Sequence, residues 1–220
     1  MTIWITSDWH FNHNKEFVWK ERGFNSVDEM NKKIIENYNS LVSPDDDVYV
    51  LGDLMLGPAA AGIDCIKQLK GKLHIALGNH DTETRKNLYY ELPNVIEIGY
   101  ALYLKYRKHH FLLTHYPCYT GNIEKEALTQ MTLNLYGHTH QKTNFFNNNF
   151  FMYHCGIDSH NCYPINIDNI GNSSKKIQRI LYCLSSFSSS RWLGQRDSRR
   201  AWKRAPWFIS FRWQSSWSIT

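Results

Sequence analysis

Short runs of apolar, often β-branched residues recur along the first 170 positions, and each run is typical of a buried strand. Between several of these runs, apolar residues recur at steps of three and four positions, which indicates one face of a helix. The most regular of these faces consists of Val27, Met30, Ile34, Tyr38 and Leu41. The alternation of the two patterns predicts a layered α/β domain.

The individual elements follow from these patterns. The predicted strands cover residues 3–6, 48–51, 73–77, 95–98, 101–105, 111–114, 133–136 and 150–154. The predicted helices run from Val27 to Leu41, from Pro58 to about Gly71 and from Thr82 to Glu91. Ser26 and Glu29 suit a capping box at the start of the first helix. Several strands of the second half follow one another without a helix between them.

Composition places the chain among ordinary globular proteins. Of its 220 residues, 42% are hydrophobic and 20% are charged, which excludes a disordered or fibrous chain. No stretch approaches the ~20 consecutive apolar residues of a membrane-spanning helix, and the first residues lack the basic and apolar parts of a secretory signal. The five cysteines are scattered and odd in number, which favours reduced thiols over a disulfide framework. Together these features predict a cytoplasmic protein.

Charge divides the chain into two unequal parts. Residues 171–220 hold ten Lys or Arg and one acid, whereas residues 1–170 hold fifteen Lys or Arg and nineteen acids. The last fifty residues also contain twelve Ser and five of the eight Trp. We therefore predict a domain over residues 1–170 and a basic, Ser/Arg/Trp-rich tail over residues 171–220.

Three interpretations of the basic tail are open. Interleaved basic and aromatic residues can bind single-stranded nucleic acid through phosphate contacts and base stacking. The same mixture can lie on an acidic membrane surface. The tail has no regular periodicity, however, and this favours the third interpretation, a disordered or non-homologous extension of the kind that translation in a shifted frame produces.

Side chains that can bind a metal follow five of the predicted strands. In chain order they are Asp8, His10, Asp53, Asn79, His115, His138 and His140. Because open α/β sheets carry their ligands at the carboxyl ends of the strands, these side chains are expected to meet in one pocket. The two pairs that are spaced two residues apart would point the same way if their backbone were extended. Three glycines, Gly52, Gly78 and Gly137, would let the backbone approach the metals without a Cβ.

The number and type of these ligands predict two metal ions. Seven nitrogen and oxygen ligands without a thiolate are too many for one tetrahedral zinc ion, and mixed imidazole and carboxylate donors favour Mn, Fe, Zn, Co or Ni over Ca or Mg. The positive charge of two divalent ions exceeds the negative charge of the Asp8 and Asp53 carboxylates. The site would therefore have a net positive charge and attract an anion such as phosphate. Such a pair of ions lowers the pKa of a bridging water, and the resulting hydroxide can attack phosphorus in line with the leaving oxygen.

The ordered string D-x-H, G-D, G-N-H-D, H and G-H-x-H between Asp8 and His140 resembles the calcineurin-like metallophosphoesterase superfamily. The segment from Asp8 to Asn14 is similar to its small bacterial and phage branch. The resemblance implies an α/β fold in four αββα layers, that is, a two-sheet β-sandwich flanked by helices. It also implies two metal sites that share Asp53. The first would be held by Asp8, His10, Asp53 and His140, and the second by Asp53, Asn79, His115 and His138.

The same resemblance implies catalytic roles for two further residues. His80 would stand over the metals, stabilise charge and protonate the leaving group, and Asp81 would orient His80. Asn79 and His80 would also contact the substrate. Weaker candidates for substrate contacts, which loop structure and ordinary surface charge would also explain, are His13, Arg22 and Arg85.

We expect a metal-dependent phosphoric ester hydrolase that acts on a phosphodiester rather than a monoester, with a nucleotide as one candidate substrate. Its cofactors would be two divalent metal ions. Mn is the favoured metal, and Fe, Zn, Ni and Co are the alternatives. One alternative is a nuclease that grips nucleic acid with the basic tail. Another is a scaffold protein that keeps the fold without activity. Such a protein usually lacks one or more of the ligands or the histidine of the G-N-H-D block, whereas Asn79, His80 and Asp81 are all present here. The oligomeric state does not follow from the sequence.

Overall fold

The computed structural model describes residues 1–120, 132–147 and 149–170. The predicted domain boundary at 171 and the basic tail lie outside these residues, so both stay predictions. Among the described helices, none combines the length and the apolar character that crossing a membrane requires. The cytoplasmic location also stays a prediction.

The predicted strands and helices are all present, with ends that shift by a few residues. The helices are α1 (Glu16–Trp19), α2 (Val27–Leu41), α3 (Ala59–Ile66) and α4 (Glu83–Tyr90), and a 3-10 helix spans Ile157–Ser159. The strands are β1 (Ile3–Thr6), β2 (Asp47–Val50), β3 (Lys72–Ala76), β4 (Val95–Gly99), β5 (Ala101–Tyr106), β6 (His109–Thr114), β7 (Thr132–Tyr136), β8 (Phe145–Phe146), β9 (Asn149–His154) and β10 (Ile165–Asn166).

These strands form two five-stranded sheets. In the first sheet the order is β10-β1-β2-β3-β4, where β1 to β4 are parallel neighbours and β10 runs antiparallel to β1. In the second sheet the order is β5-β6-β7-β9-β8, where β6, β7 and β9 are parallel and the edge strands β5 and β8 are antiparallel. The predicted α/β class, with two sheets in a sandwich flanked by helices, is confirmed.

Strands of the first sheet divide their side chains between two cores, because successive residues of a strand point to opposite faces. On one face, Val48 and Val50 of β2 pack with Met30 and Ile34 of α2 in a core that α3 and α4 complete. On the other face, Ile5 of β1 belongs to a core that it shares with the apolar residues of β6 and β7. This second core holds the two sheets together and so determines how their strand ends meet.

The start of α2 carries the predicted serine cap, but the second half of the capping box is replaced. The Ser26 hydroxyl accepts a hydrogen bond from the Glu29 amide at 3.1 Å. The Glu29 carboxylate accepts from the backbone amide of Asn25 at 2.8 Å, one residue before the expected donor. At the other end of the helix, Leu41 is 40% exposed and Val42 is buried, so the predicted apolar face is wrong at its last position.

The predicted end of the second helix is also wrong. α3 ends at Ile66, well before Gly71, because the chain tightens there and the Leu69 amide donates to the Ile66 carbonyl at 3.0 Å, in the three-residue spacing of a 3-10 turn. Four further elements, α1, β8, β10 and the 3-10 helix, were not predicted. They have only four, two, two and three residues, and so few residues cannot show a period.

Asp46 ties the start of β2 to the first residues of the chain. Its side chain is buried, and its carboxylate accepts hydrogen bonds from the Thr2 amide at 2.6 Å, the Trp4 indole at 3.1 Å and the Ser43 amide at 3.0 Å. Burial raises the pKa of this carboxyl, but the three hydrogen bonds outweigh burial, so the pKa lies below its ordinary value.

We predict that Asp46→Ala lowers the free energy of unfolding by about 1–3 kcal/mol, because its donors lose a buried acceptor. Since the pKa of Asp46 is lower in the folded protein, this contribution is present at neutral pH and is lost as the pH falls below about 4. Denaturant unfolding at pH 7 and pH 3 checks both statements. The exposed neighbour Asp45 is the control, and an equal loss in Asp45→Ala would contradict the prediction.

Candidate metal centre

The five strand ends that were predicted to carry metal ligands meet at one edge of the sandwich. In the first sheet they belong to β1, β2 and β3, and in the second sheet to β6 and β7. The structure brings together all seven predicted ligand residues there: Asp8, His10, Asp53, Asn79, His115, His138 and His140. We call this group the ligand cluster.

Asp53 lies at the centre of the ligand cluster. Its Oδ2 atom is 3.7 Å from Nε2 of His10 and 3.4 Å from Nε2 of His115. His10 in turn faces His140, with 3.1 Å between their Nε2 atoms, and Nε2 of His115 lies 3.2 Å from Nδ1 of His138. The Asp53 carboxylate therefore stands between two pairs of histidines.

Asp8 and Asn79 complete the ligand cluster. The Asp8 carboxylate lies 3.9 Å from Nε2 of His140 and accepts the His138 backbone amide at 3.0 Å. Oδ1 of Asn79 lies 2.8 Å from Nε2 of His115. Two sets of side chains in the described residues have ligand atoms within 4.8 Å of one another, close enough to hold an ion: Asp8, His10 and His140, and Asp8, Asp53 and His115.

The backbone at this edge is left-handed where the sequence suggested extended pairs. The angle φ is positive at Asp8 (60°), His10 (49°), Asp53 (55°), His138 (67°) and His140 (47°). Residues other than glycine rarely adopt this conformation, which costs about 1–3 kcal/mol at each position, and such residues concentrate at functional sites. Ligand atoms of Asp8 and His10 do lie within 4.8 Å of each other, but the expectation that extended backbone aligns the members of each pair is wrong.

Two glycines make room for the carboxylates of the ligand cluster. A Cβ at position 137 would collide with Oδ2 of Asp8, and a Cβ at position 78 would collide with Oδ1 of Asp53. The two carboxylates thus lie directly against backbone that carries no side chain. These glycines admit the ligand side chains themselves, whereas the sequence suggested that they admit the ions.

Hydrogen bonds determine which ring nitrogen two of the histidines present to the ligand cluster. Nδ1–H of His115 donates to the Leu51 carbonyl oxygen at 2.8 Å, because a carbonyl can only accept. Nδ1–H of His140 donates to the Asp158 carboxylate at 2.8 Å. When they are neutral, the rings of His115 and His140 therefore carry no proton on Nε2, the nitrogen that faces the carboxylates of Asp53 and Asp8. An unprotonated ring nitrogen of this kind can bind a metal.

The donor set fits divalent cations. Burial raises the pKa of Asp8 to about 6 although His140 and His115 lie nearby, because the buried site offers too little positive charge to stabilise the carboxylate. Burial, together with the neighbouring His140, lowers the pKa of His10 to about 2, which leaves that imidazole neutral. Neutral imidazoles and carboxylates without thiolates are ligands that Mn, Fe, Zn, Co and Ni ions accept. Cations would supply the charge that this edge of the sandwich lacks.

His80 lies beside Asp53 of the ligand cluster, and the Asp81 carboxylate binds backbone amides of the neighbouring loops. Nε2 of His80 is 3.9 Å from Oδ2 of Asp53, and the His80 amide donates to Oδ1 of Asp53 at 2.9 Å. The Asp81 carboxylate accepts the backbone amides of Gly78 at 2.8 Å and Asp53 at 2.7 Å, and the Tyr89 hydroxyl at 2.8 Å. The Asp81 oxygens thus fasten the loop after β2 to the loop after β3, and the predicted orientation of His80 by Asp81 stays a prediction.

Arg22 and Asp158 form a buried ion pair behind the ligand cluster. Nε of Arg22 lies 2.9 Å from Oδ1 of Asp158, with side-chain exposures of 2% and 6%. Arg22 also donates to the backbone carbonyls of Trp9 at 3.0 Å and Asp8 at 2.8 Å. Its guanidinium is thus engaged within the protein, and the contact of Arg22 with substrate stays a prediction. Through Asp158, this ion pair holds the ring of His140.

The other weaker candidates for substrate contacts differ in position. Arg85 donates to the carbonyl oxygen of His80, so it braces the loop that carries that residue. His13 lines a cavity beside the ligand cluster, with its ring 5.6 Å from the ring of His10. Asp158 was missed from the sequence, although it follows β9 as the other site residues follow their strands, and that position was the available signal.

Comparison with known proteins identifies relatives of this chain. The sequence model of the calcineurin-like phosphoesterase superfamily domain matches residues 1–156. An uncharacterized protein of Methanocaldococcus jannaschii is 36% identical over 126 residues, which cover 56% of this chain and 64% of that protein. The Gene 66 protein of Mycobacterium phage D29 is 26% identical over 163 residues, which cover 64% of this chain and 79% of that protein. The chain thus spans just under two thirds of the length of the archaeal relative.

A solved structure shares the fold. The crystal structure of a protein of unknown function from Aquifex aeolicus superposes with a TM-score of 0.61 at 22% sequence identity. The superposition covers 78% of this chain and 98% of that chain. The two-sheet architecture and the connections of its strands are therefore common to both proteins.

We predict that Asp158→Asn weakens the binding of Mn²⁺ about 10- to 100-fold, because His140 loses the carboxylate that holds its ring. Calorimetric titration of the metal-free protein measures the change, and Asp158→Glu should restore part of the affinity.

The control for this substitution is Asp168→Asn, which removes an exposed ion pair with Arg107 and should leave Mn²⁺ binding unchanged. Thermal unfolding of the metal-free variants separates a loss of affinity from a loss of fold. A folded Asp158→Asn variant with undiminished affinity would contradict the positioning role of Asp158.

Proposed function

Since the chain belongs to the calcineurin-like phosphoesterase superfamily, we propose that it is a metal-dependent phosphoesterase that hydrolyses a phosphodiester at the ligand cluster. We further propose that the cluster holds two divalent ions, Mn²⁺ first and Fe, Zn, Ni or Co otherwise. The observation that carries this proposal is the convergence of buried carboxylates and imidazoles within 4.8 Å, at residues that come from both sheets.

In this proposal Asp53 is the ligand that the two ions share. Its carboxylate lies between His10 and His115, at 3.7 Å and 3.4 Å from their Nε2 atoms, which supports a bridging role. The proposed ligands are Asp8, His10, Asp53 and His140 for one ion, and Asp53, Asn79, His115 and His138 for the other. Bound there, two divalent ions would generate a nucleophile from water at neutral pH and withdraw charge from the phosphoryl oxygens.

We assign proton donation to His80. Its imidazole is 41% exposed on the open side of the ligand cluster, 3.9 Å from Asp53, so a leaving oxygen can come within reach of the ring. Nε2, when protonated, donates to that oxygen as the bond to phosphorus breaks. The loop that carries the ring is held by the hydrogen bond of the His80 amide to Asp53 and by the contact of its carbonyl with Arg85.

Asn79 is the second residue that we assign to substrate binding. Because its Oδ1 atom faces Nε2 of His115 at 2.8 Å, the amide NH2 group is the part of this side chain that can meet a phosphoryl oxygen. An amide donor at that position would orient the phosphate without adding charge.

The charges near the ligand cluster favour a diester over a monoester. A monoester brings a second negative charge, which proteins usually meet with an arginine. Both arginines that the sequence suggested for this purpose are engaged elsewhere, Arg22 with Asp158 and two carbonyls and Arg85 with the His80 carbonyl. A diester, which carries one charge, fits a site without an available guanidinium from these two residues.

We predict Mn²⁺-dependent hydrolysis of bis-p-nitrophenyl phosphate. Its kcat/KM should be higher than that of p-nitrophenyl phosphate, because neither Arg22 nor Arg85 is available to bind the second negative charge of a monoester. Release of p-nitrophenolate measures both reactions, and EDTA should abolish them. Absence of turnover of either ester with Mn²⁺, Fe²⁺, Zn²⁺, Ni²⁺ and Co²⁺ would refute the proposed function.

We predict different losses for two substitutions in the ligand cluster. His80→Ala should keep the bound metals and lower kcat by about 10²–10⁴, because it removes the proton donor. Asp53→Ala should lose metal as well as activity, because both ions lose a ligand. Elemental analysis after gel filtration and steady-state kinetics measure these effects.

The control is His74→Ala, since His74 lies on β3 between Asp47 and Glu97, with 3.1 Å from a ring nitrogen to each carboxylate. It should retain metal and activity. Loss of metal from His80→Ala would show that this residue is a ligand and that its proposed role is mistaken.

A further inference from the structure

A cavity of about 580 Å³ adjoins the ligand cluster and is lined in part by His10, His80 and His140. A phosphate group alone fills a small part of this volume, which is in the range of pockets that hold whole organic ligands. A phosphoester whose phosphorus lies at the ligand cluster would therefore place one ester arm in the cavity.

Part of the wall of the cavity beyond the ligand cluster is apolar and carries an aromatic ring. Phe17 and Val18 come from α1, and Leu56 follows β2. Phe17 is 68% exposed, and its ring meets the ring of His13 at 5.8 Å between centroids with an interplanar angle of 86°. Most of its surface is thus open, and an exposed ring at a cavity wall can stack on a planar group.

The charges of the cavity wall disfavour an arm that carries further phosphates. Arg22 is part of the wall, but its guanidinium is paired with Asp158 and with backbone carbonyls. Among the other lining residues in the described part of the chain, the cation Lys142 is offset by the anion Glu21. A polyphosphate arm would meet no excess of positive charge here, whereas a neutral arm does not require one.

We propose that this cavity is a subsite for a planar, uncharged aromatic arm of the phosphoester, with the chemistry of a nucleobase, and that Phe17 stacks on it. The inference rests on the proposed function, because it requires the phosphate to lie at the ligand cluster. Stacking of a base on an aromatic side chain changes affinity by about tenfold or more.

Two ligands that differ at one carbon of the sugar, where one carries a base and the other a hydroxyl, test this subsite. Adenosine 5′-monophosphate and ribose 5-phosphate share the sugar and the phosphate, and calorimetric titration of the Mn²⁺-loaded protein measures the Kd of each. We expect adenosine 5′-monophosphate to bind about tenfold more tightly or better. Equal Kd values would overturn the subsite.

Substitutions of Phe17 test the stacking role. Phe17→Ala should weaken binding of adenosine 5′-monophosphate about tenfold and leave ribose 5-phosphate unchanged, whereas Phe17→Trp should keep the preference. Phe17→Leu, which is apolar without a flat ring, should lose most of it. Tyr90→Ala is the matched control, since it removes a 58% exposed ring from α4, outside the cavity. A loss shared by both ligands in Phe17→Ala would overturn the stacking role.

The experiments distinguish a failure of the proposed subsite from a failure of the proposed function. If the protein hydrolyses bis-p-nitrophenyl phosphate but binds both ligands equally, the subsite is refuted and the proposed function stands. If the base preference is present without metal-dependent hydrolysis of any ester, the subsite stands and the proposed activity is refuted.

Discussion

The burial of two carboxylates, those of Asp8 and Asp53, is the constraint on which the rest of this edge of the sandwich depends. Both side chains are almost completely removed from solvent, and a buried carboxylate is costly unless cations or hydrogen bonds offset the loss of water. Backbone amides supply part of this compensation, from His138 to Asp8 and from His80 to Asp53. The remaining neighbours include imidazoles such as that of His10, which burial keeps neutral. Bound cations would complete this balance of charge, and the side chains at this edge are suited to receive them.

The left-handed backbone and the tightly packed glycines of this edge are consequences of the same arrangement. Strained residues persist only where the surrounding structure holds them, and two further carboxylates provide that hold. Asp81 fastens the loops after β2 and β3 to each other through the amides of Asp53 and Gly78. Asp158, paired with Arg22, holds the ring of His140. Much of the acidic and basic chemistry at this edge therefore serves to position other groups.

The use of the two arginines inside the protein also shapes which substrates suit the site. A guanidinium bound to a carboxylate and to backbone carbonyls has few donors left for a phosphate, and the Arg22 side chain is of this kind. Positive charge at the site is then left largely to the proposed ions, which favours a substrate of low charge. The neighbouring cavity, with Phe17 in its wall and opposite charges at Glu21 and Lys142, has the same preference. Charge and shape are thus both in keeping with the proposed substrate, a singly charged phosphoester with a flat, neutral arm.

The sequence by itself determined the α/β class, the order of the long strands and helices, and the seven residues of the ligand cluster. It could do so because apolar periods of two and 3.6 are local properties, and because chemically distinctive residues follow the strands directly. Only the tertiary structure decided that Asp81 binds backbone amides, that Arg22 is engaged within the protein, and that Asp158 joins the site. Arg22 and Asp158 lie 136 positions apart, and no local pattern encodes which distant side chains meet when two sheets pack together. The left-handed backbone at the ligand residues was also decided by the tertiary structure. Close contact between loops of both sheets imposes this conformation, and the local preference of each residue does not.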